Sequence, residues 1–334
     1  MKNILNLNIF YDPNYWLKDR RLINRNLSQS SILNIFYLFQ YAINKPISDN
    51  FIKSGPQKLI NNLIHASTFR EDIKFNEHHY NNYYFCNFDS SNSKTIKDVV
   101  LNNNNKLIVG PLYTNLDFLK LLEISKDNSN LKIITASESS KNMLLKVAKN
   151  KNISNLIQIL PIGISPSTEI KKNLLNKPNT KNCLIYFKGR KYNELQEVIR
   201  ILKIYKINYK IFEYGKYKKS NLIKHAKSSR FGIILGRTES QGIAINELMS
   251  FNLPLIILNS TINNFDSQVF EGTTVPYWNP ICGEVINDFN NFKDTFKYFL
   301  GNLENNTYSP GKYVLDVLSY EVMFDNISRI LSKI

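Results

Sequence analysis

The chain has 334 residues, of which 43% are hydrophobic and 12% are aromatic, so long disorder is excluded and packed cores are expected. This length exceeds the size at which a single core usually keeps growing, and it predicts two domains of about 150 residues each. The formal net charge of +16 favours anionic partners, which include phosphates, nucleic acids and anionic lipid surfaces.

Short apolar runs alternate with helical patterns along the chain, which is typical of parallel sheets covered by helices. The predicted strands are 32–39, 83–88, 107–109, 131–135, 156–160, 183–187, 209–212, 231–235 and 255–258, with 4–10 as another candidate for the first strand. The predicted helices are 56–67, 116–125, 139–149, 192–205, 218–228, 242–252, 290–303 and 313–332. We therefore predict an α/β protein with two Rossmann-like halves.

The domain boundaries follow from the same alternation. We predict an N-terminal domain at 1–160, a linker at 161–181, a second domain at 182–312 and a C-terminal helix at 313–334. Each domain then has enough alternating apolar runs to build its own parallel sheet.

The cysteine usage and the hydropathy of the chain indicate a compartment. Cys86, Cys183 and Cys282 are far apart and odd in number, which predicts no disulfide framework and no metal-binding spacing. No window reaches the roughly 18 to 20 apolar residues of a membrane-spanning helix, and the N-terminus lacks the apolar core of a signal peptide. We expect a soluble, cytoplasmic protein.

The most informative segment joins the apolar run at 231–235 to the apolar run at 255–258. Gly242 lacks a Cβ atom, so a ligand can approach the backbone where the next helix exposes unpaired N–H groups and the positive end of its dipole. Glu239 precedes that helix and Glu247 lies one to two turns into it, so both carboxylates could accept hydrogen bonds from a ribose or a sugar. Alternatively, Glu239 only complements the helix dipole and Glu247 is a solvated surface residue.

Residues 239–254 resemble the donor-binding segment of GT-B glycosyltransferases of the family 4-like, retaining kind. The family pattern E-x-x-G-x-x-x-x-E-A-M-A-x-G-x-P is matched by Glu239, Gly242, Glu247, Met249 and Pro254. Leu248, Ser250 and Asn252 stand where Ala, Ala and Gly are usual. The resemblance implies two Rossmann-like domains facing a cleft, with an N-terminal acceptor-side domain, a C-terminal nucleotide-sugar-binding domain and a final helix that crosses back to the first domain.

Weaker similarities lie upstream. Residues 53–64, with Ser54 and Gly55, resemble the glycine loop and first helix of the acceptor-side domain in the same family, although a plain turn before an amphipathic helix is the alternative. Residues 132–141 and 159–164 resemble the segments that end the first domain. The resemblance therefore implies that Ser54 and Gly55 form an acceptor-side loop.

A strand at 183–187 runs into a basic loop that contains a glycine. In the family, this loop supplies an Arg and a Lys that hold the donor diphosphate, and the candidates here are Lys188, Arg190 and Lys191. Their spacing departs from the usual G-R-x-x-x-x-K-G, so the choice among the three stays open. A surface basic cluster is the alternative.

The resemblance implies transfer of a sugar from a nucleotide-diphosphate sugar to a glycan, lipid-linked or other acceptor, with retention and without a metal or another cofactor. The implied catalytic residues are Glu239, Lys188 and Arg190. The implied donor-binding residues are Glu247, Ser240, Gln241, Gly242 and Lys191.

The basic balance allows several partners. Lysines in 141–151 and 203–227 fit peripheral contact with an anionic membrane that carries a lipid-linked acceptor, or they form a plain solvated surface. Three other functions stay open: a nucleotide-sugar epimerase of GT-B fold, a DNA-directed glucosyltransferase or nucleic-acid binder, and a catalytically inactive sugar-nucleotide binder. No nucleic-acid-binding motif supports a nucleic-acid partner.

Overall fold

The computed structural model describes residues 4–11, 55–68, 70–150, 152–175, 180–265 and 268–334. The chain divides into two compact units. Unit 1 comprises Met1–Thr135, Leu144–Leu160 and Asp325–Ile334, and unit 2 comprises Ala136–Met143 and Pro161–Phe324. Each unit is built on its own parallel sheet, which confirms the predicted α/β class.

The described residues of unit 1 form a sheet of six parallel strands. They are β1 (Leu7–Phe10), β2 (Ile73–Phe75), β3 (Asn82–Asn87), β4 (Lys106–Leu112), β5 (Leu131–Thr135) and β6 (Ile157–Ile159). Their spatial order is β2-β1-β3-β4-β5-β6, and each neighbouring pair is parallel. The central strands are apolar and buried, as expected where helices cover both faces of a parallel sheet.

Among the described residues, four helices follow or precede strands of this sheet. They are α1 (Gly55–Ser67), α2 (Ser93–Val100), α3 (Asn115–Lys126) and α4 (Glu138–Val147), whose first six residues belong to unit 2. Helix α3 begins at a side-chain cap, because the hydroxyl of Thr114 accepts a hydrogen bond from the N–H of Asp117 at 3.1 Å. The apolar faces of α2 and α3 pack on β3, β4 and β5 in one buried cluster.

Asn8 is a fully buried polar residue in the middle of β1. Its amide nitrogen donates to the carbonyl oxygens of Tyr80 at 2.6 Å and Asn82 at 3.1 Å. Its side-chain oxygen accepts from the N–H groups of His79 at 2.9 Å and Tyr80 at 3.1 Å. The side chain therefore replaces backbone partners that the turn before β3 lacks.

We expect Asn8→Ala to lower the free energy of unfolding of unit 1 by about 3 kcal/mol, because buried backbone donors and acceptors lose their partners. Urea unfolding followed by circular dichroism measures this change. The matched control is Asn103→Ala at an exposed position, where we expect a change within about 0.5 kcal/mol. Equal effects of the two substitutions would contradict a structural role for Asn8.

The described residues of unit 2 form a sheet of five parallel strands, which are β7 (Asn182–Phe187), β8 (Asn208–Glu213), β9 (Phe231–Leu235), β10 (Leu255–Leu258) and β13 (Gly283–Ile286). Their spatial order is β13-β10-β9-β7-β8. Between β10 and β13 in the chain, β11 (Ile262–Phe265) and β12 (Gln268–Glu271) form an antiparallel hairpin. All nine residues of β9 and β10 are buried. Full burial of each Ile, Leu or Phe side chain stabilises the fold by about 1.5–3 kcal/mol.

The helices of unit 2 alternate with these strands. They are α5 (Ser167–Leu174), α6 (Tyr192–Ile204), α7 (Lys219–Ser228), α8 (Ile243–Ser250), α9 (Phe292–Glu304) and α10 (Pro310–Val317), followed by α11 (Tyr320–Leu331), whose residues from Asp325 belong to unit 1. Helix α5 lies within the predicted linker and packs against α10. Sequence patterns did not indicate it.

Gly283 starts β13 with a φ of 134°, a conformation that side-chain-bearing residues rarely adopt. A Cβ atom here would lie 1.8 Å from the carbonyl oxygen of Leu255 on the neighbouring strand β10. No flexible side chain can yield at this contact, because the obstructing atoms belong to the backbone. The close pairing of β13 with β10 therefore requires glycine at this position.

The predicted single helix at 313–332 is wrong, because the structure has two helices, α10 and α11, in its place. The chain between them pairs with a neighbouring segment instead of continuing the helix. The N–H of Ile164 donates to the carbonyl of Leu318 at 2.9 Å, and the N–H of Tyr320 donates to Ser165 at 3.1 Å. These tertiary hydrogen bonds compete with the helical ones and interrupt the helix.

The other predicted elements agree with the structure to within a few residues wherever they are described. The predicted strand at 32–39 lies outside the described residues. Sequence patterns missed α2, β2, β13 and the hairpin of β11 and β12, and they identified β1 only as the alternative first strand.

Candidate functional site

The carboxyl ends of β7 and β9 mark a topological switch point in unit 2. From β7 the chain passes to β8 on one side, and from β8 it crosses to β9 on the other side. In doubly wound sheets the loops at such a point diverge, and ligands bind in the crevice outside the carboxyl ends of these strands. Lys188 follows β7 directly, and Glu239 lies in the loop after β9.

Lys188 and Glu239 form an ion pair across this switch point. Both side chains are largely shielded from solvent, with 11% and 17% of their surfaces exposed. The Lys188 ammonium also lies over the ring of Tyr214, 4.5 Å from its centre, at the end of the neighbouring strand β8. One cation, one carboxylate and one aromatic ring from three loops thus meet at the crevice.

Tyr186, the penultimate residue of β7, is an electrostatic neighbour of Glu239. Burial raises the pKa of Tyr186 well above its ordinary value, and the neighbouring Tyr217 and the charge of Glu239 raise this pKa further. The ring of Tyr186 contacts Tyr217 edge to face, with 6.0 Å between ring centres. The phenol therefore stays neutral at physiological pH.

The loop that carries Glu239 is held by several buried hydrogen bonds. The N–H of Glu239 donates to the carbonyl of Thr273 at 2.9 Å. The buried amide of Gln241 donates to the carbonyl of Ile162 at 2.6 Å and accepts from its N–H at 3.1 Å. The buried Asn246 donates to the carbonyl of Gln241 at 3.0 Å. The side chain of Gln241 is thus engaged with the backbone, and it fixes the loop.

Gly242 connects this loop to α8 in a left-handed conformation, with φ 74° and ψ 41°. A Cβ atom would find only ordinary contacts there, so the backbone conformation, and not a lack of space, favours glycine. No side chain caps the first turn of α8. The N–H groups of this turn are available for an anion, which the positive end of the helix dipole also favours.

Glu247 lies in the second turn of α8, and its side chain is 12% exposed. The ammonium of Lys219, the first residue of α7, lies 3.3 Å from one of its carboxylate oxygens. The two predicted carboxylates, Glu239 and Glu247, therefore each pair with a different lysine.

The other two basic candidates differ from Lys188. The guanidinium of Arg190 binds both carboxylate oxygens of Glu194, at 2.9 Å and 2.6 Å, and the carbonyl of Asn259 at 3.3 Å. Lys191 is exposed. Of the three candidates, Lys188 is the one that the structure brings against Glu239, while Arg190 braces the loop by binding α6 and the end of β10.

Solved structures with a similar fold include glycosyltransferases. The glycosyltransferase from Rickettsia africae ESF-5 matches with a TM-score of 0.51 and 14% identity over 84% of this chain and 82% of that chain. WaaG, a glycosyltransferase involved in lipopolysaccharide biosynthesis, matches with a TM-score of 0.44 and 10% identity over 84% of this chain and 97% of its own. No protein-family model and no curated protein matches the chain.

The chain has the GT-B fold. At this level of identity the likeness concerns the fold alone, and the roles of individual residues must be argued from the chain itself. In this GT-B chain, the residues brought together are Lys188, Glu239, Tyr214 and the start of α8, with Glu247 and Lys219 in the same unit.

Three further predicted site residues are Ser240, Ser54 and Gly55. Ser240 is exposed, and its carbonyl accepts a hydrogen bond from the hydroxyl of Ser140 at 3.5 Å within unit 2. Ser54 lies outside the described residues, and Gly55 is the first residue of α1 in unit 1. The acceptor-side role of Ser54 and Gly55 stays a prediction.

Sequence reasoning missed Tyr214, Lys219, Thr273 and Asn246. Lys219 was visible only as part of a basic run, and Tyr214 only as one of many aromatic residues. No spacing rule joins Tyr214, Lys219 and Thr273 to the motif at 239–247, because distant parts of the chain bring them to it. Asn246 lies within that motif.

A cavity of about 310 Å³ lies at the opposite end of the unit 2 sheet. Its lining includes Arg230, Asn252 and Tyr308, beside the amino ends of β9 and β10. In the part of the chain that is described, no three His, Cys, Asp or Glu residues converge to hold a metal ion. No described helix is both long enough and apolar enough to span a bilayer.

Proposed function

We propose that this chain is a glycosyltransferase that moves a sugar from a nucleoside-diphosphate sugar to a glycan, lipid-linked or other acceptor. The observation that carries this proposal is the shielded ion pair of Lys188 and Glu239 at the switch point of unit 2. A diphosphate suits the ammonium of Lys188, and sugar hydroxyls suit the carboxylate of Glu239. A donor that joins the two groups in one molecule would satisfy both.

Other groups of unit 2 suit the remaining parts of the donor. The N–H groups at the start of α8, after Gly242, suit the diphosphate oxygens. The carboxylate of Glu247 suits the two hydroxyls of the ribose. Arg190 supports the loop after β7 from its position on Glu194 and Asn259.

Catalysis by such a site is mainly electrostatic. The bond between the anomeric carbon and the diphosphate oxygen breaks as a bond to the acceptor oxygen forms, and the acceptor proton passes to the diphosphate or to water. Negative charge grows on the departing diphosphate while the sugar gains oxocarbenium character. Lys188 and the α8 dipole stabilise the negative charge on the diphosphate, and Glu239 stabilises the positive charge on the sugar. We propose that transfer proceeds without a metal ion, because Lys188 and the α8 dipole supply the positive charge. We also propose retention, in which the acceptor approaches the face of the sugar from which the diphosphate departs.

We further propose that the protein works in the cytoplasm and contacts an anionic membrane peripherally. The end of α6 supports this contact in unit 2, since Lys203 and Lys206 are exposed beside Ile204 and Tyr205, which are 61% and 37% exposed. Basic residues next to exposed apolar side chains suit the surface of an anionic bilayer. Co-sedimentation should be stronger with anionic than with neutral vesicles and should weaken as salt rises. Equal binding to both would contradict this contact.

A thermal-shift screen tests the proposed function. UDP, GDP, ADP and CMP are compared with their sugar conjugates, because a ligand that binds the native state at 100 times its Kd adds about 2.7 kcal/mol of stability. We expect one diphosphate class to shift the melting temperature selectively. No shift with any of them would remove the main support for transferase activity.

Product analysis then separates related activities on the same fold. A glycosyltransferase consumes the donor only slowly until an acceptor is added. An epimerase releases free sugar without an acceptor, and a DNA-directed enzyme uses duplex DNA as the acceptor. We expect a glycan or lipid-linked acceptor, and not duplex DNA, to accelerate donor consumption.

We expect Glu247→Gln to raise the donor Kd about 10- to 100-fold, because hydrogen bonds to a charged group contribute about 1.5–3 kcal/mol. The turnover number should change little, since the ribose contact is equally strong in the ground state and the transition state. Calorimetry and steady-state kinetics measure the two quantities. Glu197→Gln is the matched control, because Glu197 forms a solvent-exposed pair with Arg200. A large loss of turnover without a change in Kd would contradict the ribose assignment.

A further inference from the structure

The ion pair of Lys219 and Glu247 differs from the surface ion pairs of this chain. Its two side chains are only 18% and 12% exposed, whereas the pairs Glu123–Lys126 and Glu213–Lys216 have side chains that are 42% or more exposed. Exposed pairs contribute little because water screens them, and shielded pairs restrict their members more strongly. The carboxylate of Glu247 is therefore held in one place by Lys219.

The position of Lys219 in its own helix would be unfavourable without the ion pair to Glu247. Lys219 is the first residue of α7, it follows Lys218, and the first turn of α7 holds no acidic residue. A positive charge at the start of a helix opposes the helix dipole and is unfavourable there. The neighbouring carboxylate of Glu247 offsets this cost. Helix stability alone would favour an acidic or neutral residue at position 219.

We propose that Lys219 is a positioning residue for the ribose of the donor nucleotide. This inference rests on the proposed function, in which Glu247 binds the ribose hydroxyls. Lys219 and Glu247 come from helices that follow different strands, β8 and β9, so their contact ties the two loops together beside the crevice. The ammonium restrains the Glu247 carboxylate so that its oxygens meet two adjacent hydroxyls. Lys219 itself acts through Glu247 and does not need to touch the nucleotide.

Nucleotides that lack the ribose hydroxyls provide the test. The Kd values of UDP, GDP and ADP and of their 2′,3′-dideoxy counterparts are measured by calorimetry for the wild-type chain and for Lys219→Met. We expect the nucleotide that binds to lose about tenfold or more in affinity to the wild-type chain when its hydroxyls are absent. In Lys219→Met this hydroxyl ratio, the Kd of the dideoxy form divided by the Kd of the parent nucleotide, should fall to about threefold or less, because a carboxylate that has lost its ion pair with Lys219 is less restrained and binds the hydroxyls more weakly.

Two further variants show whether an effect of Lys219→Met comes from the loss of its ion pair with Glu247 or from a general loss of positive charge. Lys219→Arg keeps a cation beside Glu247 and should restore most of the hydroxyl ratio. Lys218→Met removes the neighbouring exposed lysine and should leave the ratio unchanged. Melting temperatures without nucleotide show whether each variant is folded. In steady-state kinetics, Lys219→Met should raise the donor KM and leave kcat within about twofold.

Each contrary result has a distinct meaning. If the wild-type chain binds a nucleotide and discriminates by the hydroxyls, but Lys219→Met discriminates equally well, the positioning role is overturned. Equal losses of affinity for the hydroxyl and dideoxy forms in Lys219→Met also overturn it, because they indicate a direct phosphate contact. If the wild-type chain shows no hydroxyl discrimination, the ribose role of Glu247 fails, and this inference fails with it.

Discussion

Replacing Glu239 by Gln is expected to lower turnover about 10²- to 10³-fold without weakening the binding of the nucleoside diphosphate. The substitution keeps the shape of the side chain but removes the negative charge that stabilises the oxocarbenium-like sugar. It also removes the carboxylate that pairs with Lys188 in the absence of a ligand, so the diphosphate no longer competes for this ammonium. Single-turnover kinetics and calorimetry with the nucleoside diphosphate measure the two effects.

The control for this substitution is Glu213→Gln at the end of β8. Glu213 pairs with Lys216 in an exposed position, with 45% and 64% of the two side chains accessible. Glu213→Gln should therefore change neither the turnover nor the affinity for the nucleoside diphosphate. If Glu239→Gln instead weakened nucleoside diphosphate binding as much as it slowed turnover, Glu239 would be a general binding residue. The assignment of Glu239 to the reacting sugar would then be wrong.

Replacing Lys188 by Met is expected to lower turnover about 10³-fold and nucleoside diphosphate affinity about 10- to 100-fold. Lys188 is the candidate cation at the switch point, and its loss removes positive charge where the leaving group becomes more negative. The loss also leaves Glu239 largely shielded without this partner, and its negative charge then repels the diphosphate. Kinetics and calorimetry at two salt concentrations measure these losses.

Lys191→Met is the matched control, because Lys191 lies three residues further along the same loop and is exposed. We expect it to retain most of the activity. Arg190→Met should have an intermediate effect, since Arg190 fixes the loop through Glu194 and Asn259. A larger loss in Lys191→Met than in Lys188→Met would show that the exposed lysine holds the diphosphate.

Much of the fold could be predicted because the central strands are short apolar runs with clear ends. Strands β9 and β10 were predicted with the bounds that the structure has. Strand β13 was missed because four residues that begin with Gly283 and include Glu284 carry no apolar pattern. The interruption at Leu318 was also missed, since it results from hydrogen bonds to Ile164 and Ser165, more than 150 positions away.

The candidate site was predictable where its residues share one loop. Glu239, Gly242 and Glu247 form a local pattern whose chemistry follows from the start of α8. Lys219 and Tyr214 could not be found in this way, because they reach the site only through the placement of β7 between β8 and β9. A sequence pattern shows which loops exist, but strand order decides which loops are neighbours.

Gly283 is expected to be kept among relatives of this chain whether or not they are active. Its backbone contact with Leu255 serves the architecture and not the chemistry, so selection on folding alone should preserve it. A descendant that loses its activity is expected to keep Gly283 while Lys188, Glu239 and Glu247 drift. Among homologues that share this glycine, retention of the three charged residues would therefore separate lineages that still act on their substrate from those that keep only the scaffold.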